Sequence, residues 1–135
     1  MSLGKVCGKS RIDFPKSLDL EQSEELLKYL AKELEANVGY DISYHKSIAY
    51  EEEGVKISNG YFKINGRISL LDSPGKFDTF TMNSDYSIPE VYKVRKLEFY
   101  RIPGYDFNQY REEIIELWDD TREVIGKYFN AEESH

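Results

Sequence analysis

The segment 55–64, with the sequence VKISNGYFKI, constrains this chain most, because an Asn-Gly pair separates two runs of alternating apolar and polar residues. Asn-Gly is the strongest short-range signal for a two-residue type I′ turn, since both central residues of that turn need positive φ. If Asn59 and Gly60 form the turn, the predicted cross-strand pairs are Ser58 with Tyr61, Ile57 with Phe62, Lys56 with Lys63, and Val55 with Ile64. The apolar and the charged pairs then lie on opposite faces. The sequence therefore predicts an antiparallel sheet at the centre of the fold.

Alternation with a period of two continues on both sides of this hairpin and predicts further strands. From Val38 to Tyr50, apolar and aromatic residues occupy every second position, with one interruption at Lys46. Turn residues at 72–75 and a loop at 83–90 divide the rest of the chain up to residue 102. The pattern predicts about five strands in a meander, near residues 38–50, 55–58, 61–70, 76–82 and 91–102.

Two amphipathic helices are predicted at the ends of the strand region. The first covers residues 18–37, where leucines recur at helical spacing and Asp19 with Gln22 resembles a capping box. The second covers residues 106–129, where a wide apolar stripe extends beyond Gly126. A glycine inside a helix costs about 1 kcal/mol, but the stripe stays in phase, so we predict that the helix continues through it.

These elements predict a single two-layer α+β domain over residues 1–135. Residues 1–17 lack periodicity and are interpreted as a lead-in segment. Because helices occur only at the two ends of the strand region, both most simply pack on one face of the antiparallel meander. The element order is similar in outline to that of small secretion-chaperone-like domains, and this resemblance implies a chaperone-like or adaptor-like role.

The composition of the chain indicates which kinds of protein it can be. The chain has no run of eighteen apolar residues, so no membrane span is expected, and its first residues lack the apolar stretch of a secretory signal. The single Cys7 cannot form an internal disulfide, so we expect a cytoplasmic protein. Charged residues make up 32% of the chain and glutamine occurs twice, a composition typical of hyperthermophilic proteins.

No residue pattern in the chain predicts catalysis, a cofactor or a metal. His45 is the only internal histidine, and no second candidate base or nucleophile motif accompanies it. One cysteine and two histidines cannot build a zinc site, and no phosphate-binding loop or calcium-binding loop occurs. The acidic row on the second helix, Glu112 to Glu123, is interpreted as its solvated face. We therefore expect no cofactor and no metal, and favour a non-catalytic role.

One strand combines basic and aromatic residues in the way that single-stranded nucleic-acid binders do. The candidate binding residues in it are Tyr92, Lys93, Arg95, Arg101 and Tyr105. On an ideal strand, Lys93, Arg95 and Arg101 share one side, whereas Tyr92, Val94, Lys96 and Tyr100 share the other. The net charge of −7 opposes binding that is driven by phosphate neutralisation. Nucleic acid is therefore an alternative rather than the leading prediction.

A second group of candidates lies on the sheet face that the helices leave open. Tyr61, Lys63 and Arg67 are predicted there, on a face that is both polar and aromatic, as partner surfaces often are. The leading prediction is a protein-interaction or adaptor module that acts through this face, with a homodimer as one form of that role. Two alternatives remain open: single-stranded nucleic-acid binding through residues 92–105, and a small-molecule binder or small enzyme with a pocket between sheet and helices.

Overall fold

A computed structural model of the protein describes residues 9–49, 61–71, 73–84, 93–100 and 111–133. Within these ranges the chain forms five strands and two helices. In chain order they are β1 (Lys9–Leu18), α1 (Leu20–Val38), β2 (Tyr40–Ala49), β3 (Tyr61–Leu70), β4 (Ser73–Asn83), β5 (Val94–Tyr100) and α2 (Arg111–Glu133). The strands form one sheet in the order β1-β5-β4-β3-β2, and every neighbouring pair is antiparallel. The predicted α+β fold is confirmed.

The predicted register of the Asn-Gly hairpin is wrong for the half that the structure describes. Residues 61–70 of β3 pair with β2 without interruption, from Tyr61 opposite Ala49 to Leu70 opposite Tyr40. On its other side β3 pairs with β4 from Lys63 onward, and Phe62 forms hydrogen bonds with Ser84, so residues 62–64 have β2 on one side and β4 with Ser84 on the other. A ten-residue ladder that places the apolar residues of both strands on one face outweighs the local turn preference. Residues 55–58, Asn59 and Gly60 lie outside the described residues.

Residues 9–17 of the predicted lead-in belong to a strand, β1, and residues 1–8 lie outside the described residues. β1 pairs with β5 and buries Ile12 and Phe14, which alternate with the exposed Arg11 and Asp13. Its register shifts between Asp13 and Leu18, around Pro15. Proline cannot donate to a sheet ladder and is tolerated in an edge strand or at an irregularity. The sheet is therefore a four-stranded meander, β2 to β5, with β1 added beside β5.

Helix α1 begins and ends within two residues of its predicted bounds, whereas α2 ends four residues beyond the predicted Phe129, and its predicted start near Asp106 lies outside the described residues. The capping box of α1 is confirmed, because the Asp19 side chain accepts from the Gln22 N–H at 2.8 Å and the Gln22 side chain accepts from the Asp19 N–H at 3.0 Å. Gly39 ends this helix with φ +73°, a conformation that glycine adopts without steric cost. Helix α2 continues through Gly126 to Glu133. Neither of the two described helices is both long and apolar enough to cross a membrane.

The core lies between the helices and one face of the sheet, which we call the inner face. Phe14 of β1 packs against Phe129 of α2, with ring centroids 5.6 Å apart, and Phe99 of β5 packs against Trp118 at 6.2 Å. Helix α1 contacts α2 through a Tyr29–Tyr128 ring pair at 5.2 Å. The two helices therefore cover the same face, as predicted, and every outer-face residue points away from them.

Gly66 of β3 makes room for a phenylalanine ring on the inner face. A Cβ atom placed on Gly66 would overlap the Phe80 ring and would lie 2.6 Å from the Ser43 carbonyl oxygen. Phe80 is buried and forms an edge-to-face contact with Phe99 at 6.5 Å, so its ring has little room to move. A side chain at position 66 would therefore disturb the packing of β3 against β4.

We expect Gly66→Ala to lower the free energy of unfolding by about 1–3 kcal/mol, since overpacking forces neighbouring groups to shift. Gly126→Ala is the matched control, because Gly126 is an exposed helical residue with no atom within 4 Å of an added Cβ. That substitution should raise stability by up to about 1 kcal/mol. Urea unfolding of both variants measures the difference. If Gly66→Ala unfolds at the wild-type urea concentration, Phe80 does not pack on Gly66 in this way.

Candidate functional site

The sheet face opposite the helices, the outer face, is predominantly polar. Its residues alternate along each strand with the buried residues of the inner face. The described outer-face residues include Asp41, Ser43, His45 and Ser47 of β2, Lys63, Asn65, Arg67 and Ser69 of β3, Phe77, Thr79, Thr81 and Asn83 of β4, Lys96, Glu98 and Tyr100 of β5, and Arg11 and Asp13 of β1. The strand registers align them in rungs that run across the sheet.

The rungs form an open cleft of about 750 Å³, which we call the outer cleft. Its middle rung comprises His45, Asn65 and Thr81, which face one another across β2, β3 and β4. The rungs on either side add Lys63 with Asn83, and Ser43 with Arg67, Thr79 and Tyr100. This volume lies within the range of about 300–1,000 Å³ that is typical of ligand sites in proteins.

The two cations of the outer cleft have no acidic partner. In the part of the chain that the structure describes, neither Lys63 nor Arg67 forms a salt bridge, and no carboxylate lines the cleft. The Arg67 guanidinium lies 4.7 Å from the centre of the Phe77 ring, a cation–π contact that leaves its N–H donors free. Unpaired cations are notable here because the chain carries 25 acidic against 18 basic residues.

Apart from Thr79 and Tyr100, the neutral polar side chains of the described cleft lining also lack partners. Among the described residues, the side chains of Ser43, His45, Asn65 and Asn83 make no hydrogen bond. Thr81 is only 7% exposed, and its buried hydroxyl oxygen has no hydrogen-bond partner. A buried unsatisfied hydroxyl costs about 1–3 kcal/mol, and most such groups in proteins are paired. The cleft therefore offers a set of unused hydrogen-bonding groups in the middle of the sheet.

Tyr100 forms the aromatic end of the cleft. It is 36% exposed, and its hydroxyl donates a hydrogen bond to the Glu98 carboxylate at 2.8 Å. Partial burial and the neighbouring Glu98 carboxylate raise the pKa of the Tyr100 hydroxyl. The Thr79 hydroxyl donates to the Tyr100 carbonyl oxygen, which ties β4 to β5 at this end. Tyr100 therefore keeps its proton at neutral pH and acts as a donor.

The structure brings together two of the eight predicted binding residues. Lys63 and Arg67 line the outer cleft, and Tyr61 is the first residue of the same strand. Lys93 and Arg95 lie at the start of β5, beyond the three rungs, where Arg95 is exposed and Lys93 is half-buried. The remaining candidates, Tyr92, Arg101 and Tyr105, lie outside the described residues.

The predicted division of β5 into two sides is wrong at its start. Val94 was expected to share a face with Lys96 and Tyr100, but it is fully buried together with Leu97 and Phe99. The cause is the register shift of the neighbouring β1, which pairs Lys96 with Asp13 but Val94 with Leu18. Strict alternation applies only from Lys96 to Tyr100.

Several cleft residues are missing from the predicted set, although the sequence carries a signal for three of them. Thr79, Thr81 and Asn83 alternate with Phe80 and Met82, the pattern of a strand that is buried on one face. His45 has the predicted polar position, next to Asn65 in the register. The predicted meander places residues 76–82 beside β3, but the register between the two strands could not be read from the local pattern, so these residues could not be assigned to one site.

The described residues offer no arrangement for acid–base or metal chemistry in the outer cleft. No second side chain of the described residues orients the His45 imidazole, and the carboxylate of its rung, Glu98, lies three strands away on β5, where it accepts a hydrogen bond from the Tyr100 hydroxyl. Within the described ranges, no three His, Cys, Asp or Glu side chains come close enough to hold a metal ion. On α2, the Asp119 carboxylate pairs with Arg122 at 2.9 Å and Asp120 accepts a hydrogen bond from Tyr40 at 3.1 Å. The acidic row is thus partly neutralised by its neighbours.

Charge is distributed unequally between the two layers. The five described strands carry nine basic and four acidic residues, whereas the two described helices carry five basic and thirteen acidic residues. An anionic ligand is therefore attracted to the sheet side of the molecule and repelled from the helix side.

Comparisons with protein-family models, with curated proteins and with solved structures found no match. We therefore infer the function from the chemistry of the outer cleft.

A buried carboxyl group lies on the inner face, away from the cleft. Asp78 of β4 is 2% exposed, and its two oxygens accept hydrogen bonds from the Trp118 indole N–H at 2.6 Å and from the Thr79 N–H at 3.0 Å. Burial raises the pKa of the Asp78 carboxyl to about 7, although both hydrogen bonds act in the opposite direction. The group sits between sheet and helix, where an alternative prediction placed a ligand pocket. In the structure, the Asp78 carboxyl group connects β4 to α2 through its hydrogen bond with Trp118.

The raised pKa of Asp78 predicts a specific pH dependence of stability. Because the folded state holds this proton more tightly than the unfolded state, the contribution is complete below about pH 4 and is lost as the pH rises to about 7. At about 1.4 kcal/mol per pKa unit, the loss has an upper limit of roughly 4 kcal/mol. In Asp78→Asn the group cannot titrate, so the fall in unfolding free energy between pH 5 and pH 8 should be smaller than in the wild type. Equal slopes in urea unfolding series of the two proteins would contradict a proton on Asp78.

Proposed function

We propose that this protein is a non-catalytic interaction module that binds a partner protein through its outer cleft. The observation that supports this best is the pair of unpaired cations, Lys63 and Arg67, among polar side chains that have no partner of their own. Polar and charged side chains that stabilise a fold usually have a hydrogen-bond or salt-bridge partner within the protein, because a side chain without such a partner contributes little to stability. Such groups on one open face are suited to an external partner.

Binding is better supported than catalysis because the cleft contains hydrogen-bond donors without a positioned base. A general base needs a neighbour that fixes its orientation, and His45 has none in the described part of the chain. Charged groups at an interface accelerate association and exclude wrong partners even where they add little affinity. Lys63 and Arg67 can act in this way from their exposed positions.

The charge of the cleft favours a different protein over a second copy of this chain. In a two-fold symmetric dimer the same patch faces itself, so a face-to-face contact would place Lys63 and Arg67 near their own copies. Like charges across an interface are unfavourable. A homodimer would therefore need an offset contact, which makes an adaptor role with another protein the better-supported form. We expect this role in the cytosol, where Cys7 would remain reduced.

Single-stranded nucleic acid is less well supported as the partner. Of the basic and aromatic residues in the described part of β5, Tyr100 is the aromatic side chain with large exposure at the cleft. Its hydroxyl is bound to the Glu98 carboxylate, which would repel a phosphate backbone running across β5. The helix layer adds further negative charge.

Site-specific photo-crosslinking tests the proposal. With p-benzoylphenylalanine at Ser43, an exposed residue of the cleft, ultraviolet irradiation of cells should yield a covalent adduct with a specific protein, which mass spectrometry then identifies. The matched control carries the same amino acid at Lys32, an exposed residue of α1 on the other side of the molecule. An adduct between two copies of this chain would identify a homodimer. Equal or absent adduct formation at Ser43 and Lys32 would contradict an interaction role for the cleft.

A further inference from the structure

Given the interaction role proposed above, we infer that the partner's contact segment is an extended acidic peptide with two carboxylate side chains four residues apart. The cations that would recognise it are Lys63 and Arg67, which have no salt-bridge partner among the described residues. Both lie on the outer face of β3, and both are exposed. Their spacing, not only their charge, defines the ligand.

The spacing follows from the geometry of a strand. Lys63 and Arg67 are four residues apart on β3, so their Cα atoms are about 13 Å apart at about 3.3 Å per residue, and both side chains point to the same face. An extended peptide lying along β3 has the same rise and the same alternation. Acidic side chains at positions i and i+4 of that peptide therefore meet both cations at once. Acidic side chains three residues apart point to opposite faces and cannot do so.

The floor of the cleft provides contacts for the residues between the two acidic side chains. Asn65 lies midway between Lys63 and Arg67, and Thr81 is its partner on β4. The Asn65 side-chain amide has no hydrogen-bond partner among the described residues, so a carbonyl or hydroxyl group of a bound peptide can satisfy it.

Charge elsewhere on the molecule supports an acidic ligand at this face. The two helices carry thirteen acidic residues against five basic ones, so an acidic peptide is repelled from the helix layer. Among the described residues that line the outer cleft there is no carboxylate, and the outer-face carboxylates Asp41 on β2 and Glu98 on β5 lie at its sides, where Glu98 accepts a hydrogen bond from the Tyr100 hydroxyl. Repulsion at one side and attraction at the other together give specificity for where the peptide binds. Binding should weaken as salt screens these charges.

Fluorescence anisotropy with synthetic peptides tests the spacing. Two nine-residue peptides of Ser, Thr and Gly, with blocked and labelled ends, carry two glutamates each, at positions 3 and 7 or at positions 3 and 6. At low salt the first should bind about fivefold more tightly, since the second can form only one of the two ion pairs. Equal affinity for both peptides, or no binding of either, would overturn the inference.

Two double variants of the protein test whether the peptides bind at the outer cleft. Lys63→Gln with Arg67→Gln should lose the preference for the 3/7 peptide and bind both peptides equally weakly. Lys28→Gln with Lys32→Gln removes the same charge from exposed positions of α1 and should keep the preference. Both double variants replace exposed side chains, and their melting temperatures verify folding. An equal loss of the preference in both double variants would show an effect of net charge alone and overturn the inference.

Three further outcomes distinguish the ligand of the cleft from the proposed interaction role. If inorganic phosphate or citrate binds at the cleft and neither peptide does, the ligand is a small anion and the peptide inference is wrong. If the Ser43 crosslink forms with a partner protein but the 3/7 peptide shows no preference, the interaction role stands and the acidic segment does not. If the peptide binds as expected but no crosslink forms in cells, the recognition chemistry is right and the proposed cellular role is wrong.

Discussion

The double pairing of β3 determines where every side chain of the outer face lies. Ten residues of β2 and eight of β4 are in register with this one strand, so its alternation is imposed on both neighbours. Residues with apolar side chains, such as Ile64 and Ile68, are directed to the helices. The residues between them then face away from the helices, and rungs of polar groups across three strands follow.

That same pairing explains where reasoning from local sequence fails. The preference of Asn59-Gly60 for a turn is local, but the partner of β3 is chosen by the total length and burial of the ladder, which involves residues more than twenty positions away. β1 was missed for a similar reason: its short alternation around Ile12 becomes a strand only because β5 offers an edge. The capping box and the glycine end of α1 were predictable because both depend on neighbouring residues alone.

The candidate site was predictable in part for the same physical reason. Alternation along one strand was enough to place Lys63 and Arg67 on the face opposite the helices. Their neighbours His45 and Thr81 come from β2 and β4, and a register between strands cannot be derived from the pattern within each strand. The irregular pairing of β1 also moves Val94 to the inner face. The face of the sheet on which a residue lies therefore follows mainly from the local sequence pattern. The residues that meet in a binding site on a sheet depend instead on the order and register of its strands.

Stability and recognition are divided between the two faces of the sheet. On the inner face, aromatic packing and the buried Trp118–Asp78 hydrogen bond make the fold sensitive to substitution. On the outer face, Lys63 and Asn65 make no side-chain hydrogen bond or ion pair within the described residues, so the fold depends little on them. Exposed charges of this kind contribute at most about 1 kcal/mol. Substitutions in the cleft can therefore change recognition while the inner face keeps the fold intact, which makes the two roles experimentally separable.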